Sequence, residues 1–356
     1  MERLQYHFEP QKGWINDPNG LIQYGGKYHA FFQHNPYSAH WDTMHWGHAV
    51  SEDLLHWQEL PIALFPDQPY ENAGGCYSGS AVEKDGKLYL FYTSVSHEMK
   101  QTQSVAVSED GVNFTKYAGN PVIPHYPPEG SAEFRDPKVT FLLGSYYMVC
   151  GSGKDKVGKV LLYRSDDLLA WDYVGVLYEN AEYGPVMECP DFFALDGKFV
   201  LMFSRMGMLT HSTIFITGDF DGKTFTPEQT HMPEIGPHFY APQTFEDAAG
   251  RRVLIGWMSS WGREPDEDAE YAGALTIPRA VTLQGGKLYT YPVAEAAHLL
   301  ADSDEAVQFI PGETEISVGG TALDCPPIAD VKILRDGTSV ELFINGGESS
   351  VTAWID

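Results

Sequence analysis

The sequence predicts an all-β protein, a five-bladed β-propeller, and three observations carry that expectation. A glycine-containing turn followed by an aromatic and aliphatic strand recurs five times. Three of the five units share a second half, in which a strand runs into a Ser-acid turn and then an aromatic residue. The composition suits many short strands joined by turns: aromatics are 13% of the 356 residues, with 35 Gly and 23 Pro, which argues against disorder.

The five turns are Gly25-Gly26-Lys27, Asp85-Gly86-Lys87, Leu143-Gly144-Ser145, Asp196-Gly197-Lys198 and Ala249-Gly250-Arg251, spaced 53 to 60 residues apart. The second halves read WGHAVSEDLLHW at 46–57, SVAVSEDGVNF at 104–114 and VLLYRSDDLLAW at 160–171, and a weaker version at 214–225 carries Asp219 and Asp221. Each unit is therefore a few antiparallel strands with hairpin turns. One such sheet cannot close a core alone, whereas radial packing of similar sheets can. The competing architecture is a β-sandwich whose hairpins are alike by accident.

Seven or eight residues before each turn glycine stand Asp17-Pro18, Ser78-Gly79, Asp136-Pro137, Cys189-Pro190 (preceded by Glu188) and Ala241-Pro242. The first strand of each blade lines the channel of a propeller, so Asp17, Asp136 and Glu188 should converge although they are far apart in the chain. A proline after the acid disfavours the helical region and should keep that acid extended. Proline donates no ladder hydrogen bond, which suits an innermost edge strand. Asn16-Asp17-Pro18-Asn19-Gly20 by itself is ordinary turn chemistry; the equivalent acids in two other units shift the reading towards a shared site.

Lys and Arg total 23 against 49 Asp and Glu, a formal net charge of −26. Such a surface repels nucleic acid and anionic membranes and accepts a neutral small molecule. The stretch from Met1 to His7 has no apolar core of signal-peptide length, and no segment is apolar for long enough to span a bilayer. Cys76, Cys150, Cys189 and Cys325 show no Cys-x-x-Cys spacing. The expectation is a soluble cytoplasmic protein with free thiols. His29, His34, His40, His45, His48 and His56 lack a spacing that metal geometry demands, so no metal is expected. The acidic run from Glu264 to Glu270 reads as a solvated loop near the fifth blade.

The segments WINDPNG (14–20), FFQHNP (31–36), YSGS (77–80), FRDPK (134–138), MECPD (187–191), FYAPQT (239–244) and GWM (256–258) occur in that order. In order and spacing this set resembles glycoside hydrolase family 32, the family of invertases, sucrose-6-phosphate hydrolases and exo-fructanases, over about residues 6–291. The resemblance implies a five-bladed propeller followed by a β-sandwich. It also implies hydrolysis of a terminal β-D-fructofuranoside, sucrose or sucrose 6-phosphate, with retention of configuration and without a cofactor. Asp17 matches the family's nucleophile, Glu188 its general acid/base, and Asp136 the acid that binds sugar hydroxyls and stabilises the transition state. Asn16, Gln33, Trp41, Ser78, Tyr240 and Trp257 match residues that contact the fructosyl group or shape its pocket. Tyr77 stands where the family often has Trp.

The implied chemistry accounts for these residue types. Cleavage passes through an oxocarbenium-like state, and a retaining enzyme places its two carboxyl groups about 5–5.5 Å apart. Asp17 must be ionised to attack, and Asn16 and nearby amides would hold it so. Glu188 must carry a proton for the leaving oxygen. Arg135 would balance the local excess of negative charge. Indole faces suit sugar C–H faces, although Trp14, Trp41 and Trp257 could equally be blade core. Cys189, without a His partner, is expected to pack behind the acid. Rival readings are a fructan exo-hydrolase, an arabinoside-cleaving relative of the same architecture, and a catalytically inactive sugar-binding propeller.

The expected division is a catalytic domain at 1–292 and a second region at 293–356. The latter begins with a short helical patch at 293–300 and ends on a hairpin around Asn345-Gly346. It is shorter than the family's sandwich, so the overall expectation is a five-bladed β-propeller followed by a shortened C-terminal β-sandwich-like region. That reduced sheet should pack on the propeller or on another subunit of a homo-oligomer.

Overall fold

The computed structural model describes residues 3–97, 100–263 and 265–355. Met1, Glu2 and Glu264, which belong to the readings of the N-terminus and of the acidic run, lie outside them.

Local turn chemistry sets the strand pairs. In the first four repeated turns both central residues take positive φ: Gly25 and Gly26 (58° and 81°), Asp85 and Gly86 (54° and 76°), Leu143 and Gly144 (51° and 83°), and Asp196 and Gly197 (48° and 82°). Two-residue turns of this hand match the twist of the strands they join. The fifth differs: Asp247 closes a longer loop by accepting from the amides of Ala249 and Arg251. The Ser-acid turns also share one geometry. Asp53, Asp110, Asp167 and Asp221 each accept from the amides two and three residues on. The residue after each acid is left-handed, namely Leu54, Gly111, Leu168 and Gly222. Trp57 and Trp171 close two of these turns by donating Nε1–H to the carbonyls of Leu54 and Leu168, both at 3.0 Å.

The result is five consecutive sheets, each built on four antiparallel strands, that open with Gly13–Tyr24, Gly75–Lys84, Phe134–Leu142, Met187–Leu195 and Tyr240–Glu246. These five opening strands pack against one another in a ring, the fifth touching the first. Side chains bridge them where no ladder runs. Gly79 N donates to Asn19 Oδ1, Ser80 Oγ to the Pro137 carbonyl, Cys189 N to Asp136 Oδ2, Thr244 N to Asp191 Oδ2, and Leu21 N to Gln243 Oε1. Tyr271–Ala272, at the end of the acidic loop, pairs in parallel with Gly13 and Trp14 and ties the fifth sheet's chain to the first sheet.

The patch at 293–300 is a 3-10 helix, Ala294–Leu299. Two three-stranded sheets follow, spanning 307–324 and 331–354, and share one apolar core that includes Ile316, Ile333, Leu342 and Val351. This region packs on its own chain. Leu334 and Phe343 join the core of Phe8, Ile277 and Val293. Beside them lies a buried charged network. His7 contacts Asp336 through Nδ1 (2.9 Å) and Glu341 through Nε2 (2.8 Å), and Arg279 pairs with Glu341 (2.5 Å) and Glu234 (2.7 Å). The Arg279 guanidinium sits 5.0 Å from the ring centroids of both Phe239 and Phe343. Removing one member of such a network leaves a buried charge uncompensated.

Two predictions follow from this architecture. Leu143 is 61% exposed and holds φ 51° at a position filled by Gly25, Asp85 and Asp196 in the other turns. Leu143→Asn should raise stability by about 1 kcal/mol, read as a higher denaturation midpoint, because Asn tolerates the left-handed region. The second concerns His7. Burial opposes its charged form, but the hydrogen bonds and charges of Asp336 and Glu341 outweigh burial and raise its pKa from 6.5 to about 9. The folded state therefore binds the proton more tightly, so this stabilisation is complete below pH 6.5 and is lost as pH rises through about 9. Melting temperature should fall over that window, and His7→Gln should flatten the slope.

Candidate active site

The sheet registers explain how side chains reach the ring's centre. Pairing of every opening strand with its neighbour slips at the same place: between Ile15 and Pro18, Tyr77 and Gly79, Arg135 and Lys138, Glu188 and Asp191, and Tyr240 and Gln243. Each slip is a β-bulge, which bends the strand and re-aims its side chains. Tyr77, Arg135, Glu188 and Tyr240 occupy the last paired position before a bulge. Asp17, Ser78, Asp136 and Cys189 occupy the bulge itself.

Asp136, Cys189 and Ala241, each followed by proline, have φ of 63°, 46° and 47°. This corrects the expectation of an extended backbone before proline, which does not hold for Asp136. The bulge's hydrogen bonds override the pre-proline preference. The amide of Asp136 donates to Thr93 Oγ1 (2.9 Å), that of Cys189 to Asp136 Oδ2 (2.8 Å) and that of Ala241 to Ser204 Oγ (3.0 Å).

All ten residues singled out from the sequence line one cavity of about 670 Å³: Asn16, Asp17, Gln33, Trp41, Ser78, Arg135, Asp136, Glu188, Tyr240 and Trp257. Gln101, Glu133, Trp261 and the segment 206–209 line it too and were not anticipated. They sit on loops and on a third strand, where the repeat alignment carried no signal. Tyr77 is present in the wall, edge-on to Trp41 at 6.2 Å, so the aromatic side survives the Trp-to-Tyr change. Trp14 and Trp257 are buried with Met44, while Trp41 is 46% exposed at the rim.

The three acids are held differently. Asp17 accepts from Ser78 Oγ (2.6 Å) and Asn16 Nδ2 (3.0 Å), and Trp14 Nε1 donates to Asn16 Oδ1 (2.8 Å). Burial pushes the Asp17 pKa up, the Ser78 and Asn16 hydrogen bonds pull it back, and the Glu188 charge adds to the rise. Glu188 takes a two-pronged contact from Arg135, through Nη2 (2.8 Å) and Nε (3.2 Å), and the hydroxyl of Tyr240 donates to its other oxygen. Arg135 also reaches Glu133. Burial raises the Asp136 pKa to about 7; the Arg135 charge opposes that rise, and the charges of Glu188 and Asp17 add to it.

Cys189 lines the cavity and its Sγ lies 3.4 Å from Asp17 Oδ2. It stands between two acids, not behind one as expected. Burial and the neighbouring carboxylates push its pKa far up, so the thiol stays neutral and donates a weak hydrogen bond. The histidines form no ligand set: His29 and His48 stack on each other, and among the described residues no cluster of His, Cys, Asp or Glu is disposed to hold a metal.

A carboxyl whose folded pKa stands near 7 against 3.8 unfolded binds its proton more tightly in the folded state. Stability is therefore lost as pH rises from 3.8 to about 7, the reverse of the usual carboxylate effect. Asp136→Asn should raise the melting temperature at pH 8 and leave it nearly unchanged at pH 4, measured by scanning calorimetry.

Comparison with known proteins agrees with this geometry. The profile of the "Glycosyl hydrolases family 32 N-terminal domain" matches residues 7–292. A sucrose-6-phosphate hydrolase of Escherichia coli is 40% identical over 316 residues, covering 83% of this chain and 65% of that protein. A raffinose invertase of Escherichia coli is 41% identical over 315 residues with the same coverages. The chain thus spans about two thirds of the length of these curated relatives. Among solved structures, a Bombyx mori GH32 beta-fructofuranosidase superposes with a TM-score of 0.87 at 32% identity, covering 99% of this chain and 89% of that one. No described helix is long and apolar enough to cross a membrane. The profile match over most of the chain, joined to the acid-lined cavity at the centre of the ring, makes this chain a member of glycosyl hydrolase family 32.

Proposed function

We propose that this protein hydrolyses terminal β-D-fructofuranosides, sucrose or sucrose 6-phosphate, by a two-step mechanism that retains configuration. In this reading residues 1–292 are the catalytic domain, a five-bladed propeller whose blades are the five sheets. Residues 293–356 form the reduced sandwich. The observation that carries the activity is the pairing of Asp17 and Glu188 in one cavity, from strands 171 positions apart, each oriented by its own partners.

The roles follow from those partners. Asp17, held by neutral donors, attacks the anomeric carbon of the fructosyl group while Glu188 gives its proton to the departing glycosidic oxygen. The sugar is then esterified to Asp17. Glu188, now a carboxylate beside Arg135, takes a proton from water, which attacks the same carbon and frees Asp17. Asp136 accepts hydroxyl hydrogen bonds that strengthen as positive charge develops on the ring. Gln33 and Asn16 bind sugar hydroxyls, and Trp41 and Trp257 offer apolar faces. Four cysteines, all free, support a cytoplasmic setting.

Asp17→Ala and Glu188→Ala should each lower kcat on sucrose at least about a thousand-fold, with melting temperature preserved as the control for folding. NMR of the first fructose released should show the β anomer. Near-normal turnover in either variant would overturn the assignment. A catalytically inactive sugar-binding protein would instead bind sucrose and release no reducing sugar.

A further inference from the structure

The charge balance of the cavity bears on which leaving group it accepts. Its described lining carries four carboxyl side chains, Asp17, Glu133, Asp136 and Glu188, and one cation, Arg135. A guanidinium has five N–H donors, and those of Arg135 are engaged. Nε and one Nη2 hydrogen go to Glu188, Nη1 goes to Glu133 and to Gln101 Oε1 (3.3 Å), and Nη2 also faces Met206 Sδ (3.7 Å). Arg205, next to the lining segment 206–209, is not among the lining residues and gives Nε and Nη2 to the His211 carbonyl (3.0 and 2.6 Å).

Among the described lining residues the outer wall adds no further charged side chain. It is made of Trp41, Tyr77, Trp261, Met206, Met208 and Leu209, and Leu209 is 62% exposed. An aromatic and thioether mouth suits the C–H faces of a neutral sugar. A phosphate dianion on the leaving sugar would meet the carboxylates of Asp17 and Glu133 and no uncommitted donor from Arg135. Juxtaposed like charges suppress binding of the wrong partner.

We propose that this cavity selects unphosphorylated fructosides and discriminates against those carrying a phosphate on the leaving sugar. The selectivity rests on the fructosidase reading above. The chemistry at the fructosyl group is common to both substrates; the difference lies in the electrostatics of the mouth.

The test compares kcat/KM for sucrose and sucrose 6-phosphate with the full chain. Sucrose should be favoured by at least about tenfold. Raising ionic strength from about 10 to about 150 mM shortens the screening length from about 30 to about 8 Å. That should lower KM for sucrose 6-phosphate and leave KM for sucrose flat. Leu209→Lys, which places a cation at the rim, should narrow the ratio. Equal or greater efficiency on sucrose 6-phosphate overturns the selectivity while leaving the fructosidase reading intact. Release of fructose from neither sugar overturns the fructosidase reading and this inference with it.

Discussion

Five opening strands, each broken by a bulge at the same position, form the constraint on which the rest of this structure depends. A regular strand alternates its side chains and would aim only every second residue at the ring's centre. The bulge lets two successive positions face the same cavity, so Arg135 and Asp136 both reach it, as do Glu188 and Cys189. The backbone is strained to do so: Asp136, Cys189 and Ala241 are left-handed before proline. Strain of this kind persists only where surrounding bonds over-determine it. Here a hydroxyl or a carboxylate from the neighbouring sheet takes each amide. The same bonds join the sheets, so the ring's cohesion and the site's geometry share one set of contacts.

Electrostatics then divides the acids among different tasks. Three carboxyls within one cavity repel each other, and burial worsens the repulsion. Neutral donors quiet Asp17, a guanidinium and a phenol hold Glu188, and a backbone amide serves Asp136. Asp136 carries most of the frustration, with its pKa raised to about 7. Burial disfavours its charged form, and a carboxyl perturbed in this way inside a cleft marks a functional site.

The C-terminal sheets enter this account through the first and fifth sheets, where the ring closes. His7 and Arg279 bind Asp336, Glu341 and Glu234 in a buried network. Tyr271–Ala272 adds its short parallel ladder to the first strand. A ring of sheets is weakest where its ends meet, and both devices act at that seam.

Much of the fold was legible because it rests on local chemistry. The repeated turns announce hairpins through Gly25-Gly26, Asp85-Gly86 and Asp196-Gly197, and Asp53, Asp110 and Asp167 announce the second turns; these signals need only neighbours in the chain. The site was legible through alignment of those repeats and through its resemblance to a family, which brought ten lining residues into view. Other features depend on contacts between residues far apart, and no local pattern encodes them. Glu133 and Gln101 face the cavity in contact with Arg135, and Gln101 also takes the Phe134 amide; Cys189 stands between Asp17 and Asp136 on a strand that bulges. The left-handed backbone of Asp136 reverses its local preference because Thr93, 43 residues away, accepts its amide hydrogen. The sequence by itself determined the turns, the strand period and the identity of the acids, since these follow from short-range sterics and side-chain chemistry. The tertiary structure alone decided which donors each acid receives and how far burial shifts it, since both depend on what the folded ring brings within a few ångströms.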